Sequence, residues 1–313
     1  MALIGVAENL RSGNQMIDEK LEVTPEAILA HSPDYLAPVE DEWLSDFNTA
    51  TMLGRDKAAQ SSVVFVGMAR SIDGVLPWSI ERIQEIGKSF ASWHAVVVEN
   101  DSNDGTKDIL HAWQASDPAR VRVSCKDYGR PHLHGFERDR VESYAQYRNE
   151  CRTIAQEIAP DADYVIVLDL DAWGGYSHLG VLNSICWLER ILTAGCMASV
   201  SLFEMLDNLG ETHLSHYDQW AWRWQSWTPR MEAWFTRWIP PVGSPPMLVH
   251  SAFGGLAVYK AAPFYASHYW CDNGDIEHAG LHKSLKANGY DVFLNPSSRV
   301  TMQWVIRDDQ AIS

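Results

Sequence analysis

The chain has 313 residues, 46 % of them apolar, which is enough for one large α/β domain or two small ones and excludes wholesale disorder. Its 25 basic and 41 acidic residues give a net charge of −16, a surface that repels nucleic-acid phosphates and anionic lipid, although net charge does not exclude one basic cleft. No stretch reaches the roughly 20 apolar residues of a membrane span, and the opening MALIGVAENLRSGNQ lacks the parts of a secretory signal, so a cytoplasmic protein without a transmembrane segment is expected.

Residues 1–60 carry short helical patterns at Asn14–Leu21, Pro25–His31 and Glu40–Phe47, each opened by a cap residue or an early proline, and no strand. They read as a helical N-terminal extension, packed on the main domain or on a second copy of the chain in a homo-oligomer. From Ser61 the pattern alternates. Val63–Met68 is a wholly apolar run, as a strand buried on both faces requires, and Leu76–Lys88 follows as an amphipathic helix. Ala95–Glu99 is a second buried strand, ending in the polar turn Asn100–Thr106 from which a helix runs through Trp113. Val121–Cys125 is a third strand, Val141–Ala159 a long helix and Tyr164–Leu168 a fourth strand. This alternation predicts an α/β fold with a doubly wound, mostly parallel sheet, whose ligands bind beyond the carboxyl ends of the strands. Pro240–Pro246 is a stiff connector leading to the strand-like Met247–Ser251.

Polar residues follow the apolar runs where that rule places a site. Asp169-Leu170-Asp171 puts two carboxylates at i and i+2 after a buried strand, a set of hard oxygen donors suited to Mn2+ or Mg2+; a solvated acidic loop is the plainer reading. Glu99-Asn100-Asp101-Ser102-Asn103-Asp104-Gly105-Thr106 has side chains able to bond a base edge and ribose hydroxyls, and equally the makings of an Asx-rich turn with a helix cap. Arg148, in the helix before Asp169, is within reach of donor phosphates or lies on a helix surface. The five cysteines are odd in number, show no C-x-x-C spacing and read as reduced core thiols. Fourteen tryptophans are many for this length, and six fall between Trp220 and Trp238. Trp220, Trp222 and Trp224 alternate, which puts three indoles on one side of an extended segment; Trp227, Trp234 and Trp238 follow at helical spacings. The cluster is either a satellite of the core or a platform for an acceptor sugar.

A strand followed by ENDSNDGT, a helix carrying Arg148-Asn149, and an apolar strand ending in Asp-x-Asp resembles the layout of GT-A-fold nucleotide-sugar glycosyltransferases. The wording resembles the cryptococcal capsular α-1,3-mannosyltransferase-like family more than the generic inverting family. The resemblance covers about residues 62–172, continues through Ser251–Ala257 and ends with Glu277–His282 and Asn288-Gly289-Tyr290. It divides the chain into the extension, 1–60, and a glycosyltransferase domain, 61–313, with a nucleotide-sugar half at 61–172 and an acceptor half at 173–313. It implies Met68, Ala69 and Arg70 against the nucleotide, Glu99 and Asp101 on base and ribose, Arg148 at the phosphates, Asp169 near ribose and metal, and Asp171 as a metal ligand. Gly254 and Gly255 belong to the acceptor-side segment.

Where generic inverting members carry Glu-Asp, this chain has Glu277-His278. His278 is therefore a general base, a metal ligand or a hydrogen-bond donor to the diphosphate, with metal or diphosphate contact preferred and Glu277 or Asp275 as reserve carboxylates. His282, one helical turn on, shares its face, and His250 reads as a satisfied core histidine. The implied activity is metal-dependent transfer of a hexose, mannose in the nearest resemblance, from a nucleotide-diphosphate sugar to a hydroxyl of a glycan or glycoconjugate. A nucleotidyltransferase is the alternative enzyme, disfavoured because GMARSIDG after the first strand is not a Gly-rich basic loop; a non-catalytic carbohydrate-binding relative is the other.

Overall fold

The computed structural model describes residues 32–36, 39–132, 138–206, 212–227, 238–271 and 275–307. The helices expected at Asn14–Leu21 and Pro25–His31, and Trp234, lie outside them.

Helix α1 is Pro33–Leu36 and α2 is Leu44–Ala58. The alternating part follows as β1 (Ser62–Ala69), α3 (Leu76–Gly87), β2 (Ser92–Asn100), α4 (Thr106–Ser116), β3 (Val121–Lys126), α5 (Arg138–Ile158) and β4 (Tyr164–Asp169). Each element lies within three residues of its expected ends, because fully apolar strands and amphipathic helices are distinct periodicities. The remainder is β5 (Gly175–Tyr176), α6 (His178–Arg190), β6 (Ala194–Leu206), β7 (Thr212–His216), β8 (Met247–Val249), β9 (Leu256–Lys260), α7 (Ala261–Tyr265), α8 (Glu277–Ala287) and β10 (Asp291–Arg307).

These strands form one sheet in the order β3-β2-β1-β4-β9-β6-β10-β5, with β7 beside β6 and β8 beside β10. Strands β1 to β4 pair in parallel, as do β6 and β10. Strand β9 lies between β4 and β6, antiparallel to both, so β1–β4, β6 and β10 share one direction. The protein is thus a mostly parallel α/β sheet with flanking helices.

Alternation along the strands builds two cores. Val64, Val66, Val96 and Val98 point to one face and pack with Val141, Ala145 and Cys151 of α5 and Leu281 of α8. Phe65, Val97 and Ile166 point to the other, against Leu76 and Ile83 of α3, Leu110 of α4 and Val181 and Ile185 of α6. Burial on both faces is why these strands read as continuous apolar runs.

Two features depart from the sequence reading. The helix expected at Glu40–Phe47 instead occupies Leu44–Ala58. Its buried stripe is Phe47, Ala50, Thr51, Gly54 and Ala58, too small and polar to register as apolar, while Met52 and Leu53 face solvent. A Cβ on Gly54 would lie 1.8 Å from the Leu182 carbonyl oxygen, so glycine alone permits this approach of α2 to α6. Asp34 adds a second tie, accepting from the Leu179 amide at 2.9 Å at the start of α6. The long strands β6 and β10 had no forecast. Strand β6 buries Ser199 and Ser201 among small residues, and β10 contains Asn295-Pro296-Ser297-Ser298, which reads as a turn. A register shift between Asn295 and Arg299 absorbs that insertion.

His282 of α8 lies in the core, with Nδ1 2.8 Å from Ser251 Oγ and Nε2 3.0 Å from Tyr259 Oη. Burial pushes its imidazole down to about 3. The unfolded chain therefore binds a proton here below its ordinary value of about 6.5, and the folded chain does not until about pH 3. This site's contribution is complete above pH 6.5 and declines as pH falls through that window. In urea titrations, the stability advantage of the wild type over His282→Gln should shrink by about 2 kcal/mol between pH 7 and pH 5. An advantage independent of pH would show that the folded chain protonates His282.

A candidate donor and metal site at the strand ends

The carboxyl ends of β1, β2 and β4 lie in register, with Met68 opposite both Val98 and Asp169, and Ala69 opposite Glu99. Beyond them the chain turns sharply: Ser71 and Asp101 have φ of 50° and 53°, unusual outside glycine and frequent at functional sites. The polar turn after β2 holds the loop after β1. Ser102 Oγ accepts from the Ser71 amide at 2.9 Å, Thr106 Oγ1 from Ile72 at 2.8 Å and Asp104 Oδ2 from Asp73 at 3.2 Å. Glu99 is 0 % exposed and accepts from the Ser102 amide at 2.7 Å. Asp101 accepts from the Gly129 amide at 2.7 Å. The base and ribose contacts that the resemblance implied for Glu99 and Asp101 thus fall on side chains engaged with backbone amides, and Asn100 is the member of this turn that reaches the cleft wall.

Asp169 and Asp171 close the other side of the strand ends. Asp169 accepts from Arg148 Nη2 at 3.1 Å, while Arg148 Nε donates to Glu277 at 2.9 Å. Arg148 is 6 % exposed and Glu277 2 %. Burial disfavours the guanidinium's charge, but the two carboxylates outweigh it and raise its pKa above the ordinary arginine value. Burial raises Asp169 despite Arg148, and burial followed by the charge of Asp169 pushes Asp171 up to about 7. The turn carrying them is fixed from α3: Ser79 Oγ donates to the Leu170 carbonyl at 2.7 Å, and buried Arg82 donates to Ala172 and Trp173 at 2.9 and 2.8 Å. Tyr176 Oη donates to the Asp169 carbonyl at 2.5 Å, and the Gly255 carbonyl accepts from the Asp169 amide at 2.9 Å.

A cleft of about 360 Å³ lies at these strand ends. Met68, Ala69, Arg70, Arg148, Asp169 and Asp171 all line it, joined by Arg130, Arg140, Tyr144, Tyr147 and Tyr217, which sequence reading did not single out. Four guanidiniums thus face two carboxylates in a chain of net charge −16. Arg70 donates to the carbonyls of Arg130 and Pro131, and Arg130 to Ser143, Tyr147 and Gln146, each at about 3 Å and each a neutral acceptor. Among the described residues, these two guanidiniums are thus held by neutral oxygens. Tyr147 precedes the Arg148-Asn149 pair of the resemblance, in the wording YRN; the other missed residues lie on α5 and in loops whose local sequence has no motif, and their convergence marks them.

The remaining candidates lie apart from the cleft. His278 is 1 % exposed, and its ring stacks on Phe253 with centroids 3.9 Å apart. Burial, then the charge of Arg148, hold its pKa well below the ordinary histidine range. Among the described residues no third Asp, Glu, His or Cys joins Asp169 and Asp171 in a metal-binding group, so the structure does not bring His278 to that pair. Asp275 pairs with buried Arg223 and accepts from the Ile276 amide at 2.8 Å. His250 is half-buried, with Nδ1 2.8 Å from the Trp224 carbonyl. Gly254 has φ 70° and donates to Asp218 at 2.9 Å, and its missing side chain leaves room for the Ser199 carbonyl. Trp222 is a core side chain, whereas Trp220 and Trp224 are partly buried against that core. The alternating indoles therefore do not form one exposed row.

No protein-family model matches this sequence, and no curated protein matches it. Among solved structures it is similar to the mannosyltransferase PcManGT from Pyrobaculum calidifontis, in complex with GDP-Man and Mn2+, with a TM-score of 0.46 and 13 % identity over 83 % of this chain and 66 % of that one. It is also similar to GalNAc-T7 with UDP, GalNAc and Mn2+, at TM-score 0.45 and 12 % identity over 86 % of this chain and 54 % of the other. A third is S. aureus TarS 1-349, at TM-score 0.45 and 8 % identity over 77 % and 60 %. The chain spans between about half and two thirds of the length of these proteins.

The shared guanidinium yields a double-mutant cycle. Arg148→Met leaves the buried Glu277 carboxylate without its partner beside half-buried Asp169 and should cost about 3 kcal/mol in urea unfolding, the low end for breaking a buried pair. Adding Glu277→Leu should recover part of that loss, because the uncompensated charge leaves with it. Additive losses would show that the two residues are not coupled.

Proposed function

We propose that this protein is a GT-A-type, metal-dependent glycosyltransferase that moves a hexose from a nucleoside-diphosphate sugar to a hydroxyl of a glycan or glycoconjugate. Mannose is the sugar the motif wording favours. The observation that carries the reading is the pairing of Asp169 and Asp171 at the end of β4 with Arg70 and Arg130 across one cleft. A diphosphate needs cationic partners, and the two guanidiniums, held among the described residues by neutral oxygens, supply them in a protein of net negative charge.

The donor set fits a divalent cation. Asp169 and Asp171 are hard oxygen ligands on one turn, and the upward push on Asp171 comes partly from its neighbour's negative charge, which a cation would oppose. Such an ion, Mn2+ or Mg2+, supplies charge neutralisation as the nucleoside diphosphate departs. The residues of the chain do the rest. Arg70 and Arg130 hold phosphate oxygens, Arg148 orients Asp169, and Arg82 and Ser79 keep the Asp-Leu-Asp turn in place. In the transfer the bond from the anomeric carbon to the phosphate oxygen breaks, with its electron pair on that oxygen. The acceptor oxygen bonds to the carbon, and its proton passes to the departing phosphate or to solvent. In this reading buried Glu277 and His278 act from behind Arg148 and do not touch the substrate.

Thermal melts with GDP and UDP test the reading. One of the diphosphates, with manganese, should raise the melting temperature; EDTA should remove the shift, and Asp171→Asn should abolish both the shift and the release of nucleoside diphosphate from nucleotide sugars. Undiminished turnover in EDTA would overturn the metal assignment, and stabilisation by triphosphates alone would point to nucleotidyl transfer.

A further inference from the structure

The Asp-Leu-Asp turn is anchored from a second direction, by the part of the chain that precedes the sheet. Tyr176, whose hydroxyl donates to the Asp169 carbonyl, is buried and is the last residue of β5. Ser177 follows as the N-cap of α6. Its Oγ accepts from the Gly180 amide at 2.7 Å, and its own amide donates to the Arg299 carbonyl of β10 at 2.8 Å. The place of the Tyr176 hydroxyl is therefore set by where α6 begins.

The first turn of α6 has no acidic residue of its own. Asp34 supplies one from 143 residues earlier in the chain: Oδ1 accepts from Ser177 Oγ, and Oδ2 from the Leu179 amide at 2.9 Å. A carboxylate there meets the unpaired amides of the helix start and the positive end of its dipole. The Ser297 carbonyl, 3.4 Å from Ser177 Oγ, is the hydroxyl's other acceptor, longer and uncharged. Little slack separates α6 from the turn. Gly175 has φ 79°, and a Cβ on it would lie 2.5 Å from Arg82 Nε; one on Gly174 would lie 2.6 Å from Thr301 Cβ. A segment packed this closely passes a displacement on instead of absorbing it.

We propose that Asp34 is a positioning residue for the candidate metal turn: through Ser177 and Tyr176 it holds the Asp169 backbone where its carboxylate can share a divalent cation with Asp171. The segment before the sheet is then a working part of the site at the strand ends. The cation rests on the reading above; the mechanical path from Asp34 to the turn does not.

Hydrogen exchange and manganese titration of the full chain test the two parts. Asp34→Asn should speed amide exchange at residues 170–176 by about 10-fold, the factor expected from losing a hydrogen bond to a charged group. Phe264→Leu, a core substitution in α7, should speed exchange there no more than elsewhere in the chain. In calorimetry with GDP or UDP present, Tyr176→Phe should weaken manganese binding about 10-fold, the low end for a group that orients a metal ligand. Asp34→Asn should weaken it at least ~3-fold, and the double variant no more than Tyr176→Phe alone, because both act along one path. If Asp34→Asn does not fold, Ser177→Gly removes the hydroxyl that Asp34 engages while keeping a tolerated cap residue, and carries the same expectations. Exchange at the turn unchanged by the substitution overturns the proposal. So does unchanged manganese affinity, or losses that multiply in the double variant. A wild type that binds no manganese would instead count against the metal reading, and the exchange comparison then decides by itself whether Asp34 holds the turn.

Discussion

The strand-end architecture depends on one buried guanidinium. Arg148 ties α5 to the end of β4 through Asp169 and to the start of α8 through Glu277, partners 21 and 129 residues away. Its plane lies over Phe253, 5.0 Å from the ring centre, and 6.0 Å from that of Tyr269, so the charge is enclosed by aromatic rings as well as carboxylates. A lysine would offer one point charge where a planar fork serves two acceptors at different angles. The ion pairs are not a large source of net stability, because removing three charges from water costs nearly what their attraction returns. Their effect is positional. The first half of the chain, which builds β1 to β4, is locked to the last helix at the atom pair beside the candidate metal ligands.

Around that lock the polar side chains of the site divide into two groups. One group builds the turns: Glu99, Asp101, Ser102, Asp104, Thr106 and Arg82 are engaged with backbone amides and carbonyls. Their bonds hold Ser71 and Asp101 at positive φ, which loops of ordinary composition seldom sustain. The other group, Asp169, Asp171, Arg70 and Arg130, faces the cleft. Rigid turns beneath a small set of exposed charges are what preorganised binding of a charged ligand requires, because little reorganisation remains when the ligand arrives.

Charge is distributed against the average of the molecule. A chain with 16 more acidic than basic residues gathers four arginines in the lining of one cleft. Three of them, Arg130, Arg140 and Arg148, come from the loop after β3 and from α5, which packs on β1 and β2 beside the cleft. A field of opposite sign to its surroundings draws anions to one place and leaves the rest of the surface inert to them.

The sequence alone determined the first half of the fold. Runs such as VVFVGM and YVIVL admit one structure when helical periods separate them, and the position of Asp-Leu-Asp after the fourth run located the carboxylates. Local chemistry also marked Arg148, although not its double pairing. Tertiary structure decided the rest. Strands β6 and β10 carry serines, a proline and a bulge, so only their neighbours in the sheet make them strands. The small-residue stripe of α2 has meaning only against α6. His278, one residue from Glu277, looked available for chemistry because periodicity fixes the face of a helix and not what covers it; Phe253 and Tyr269 cover it. Arg130 and Arg140 had no motif to announce them, since a charge acquires a role from the charges brought near it. Proximity across the sheet is a property of the folded chain, and no local pattern encodes it.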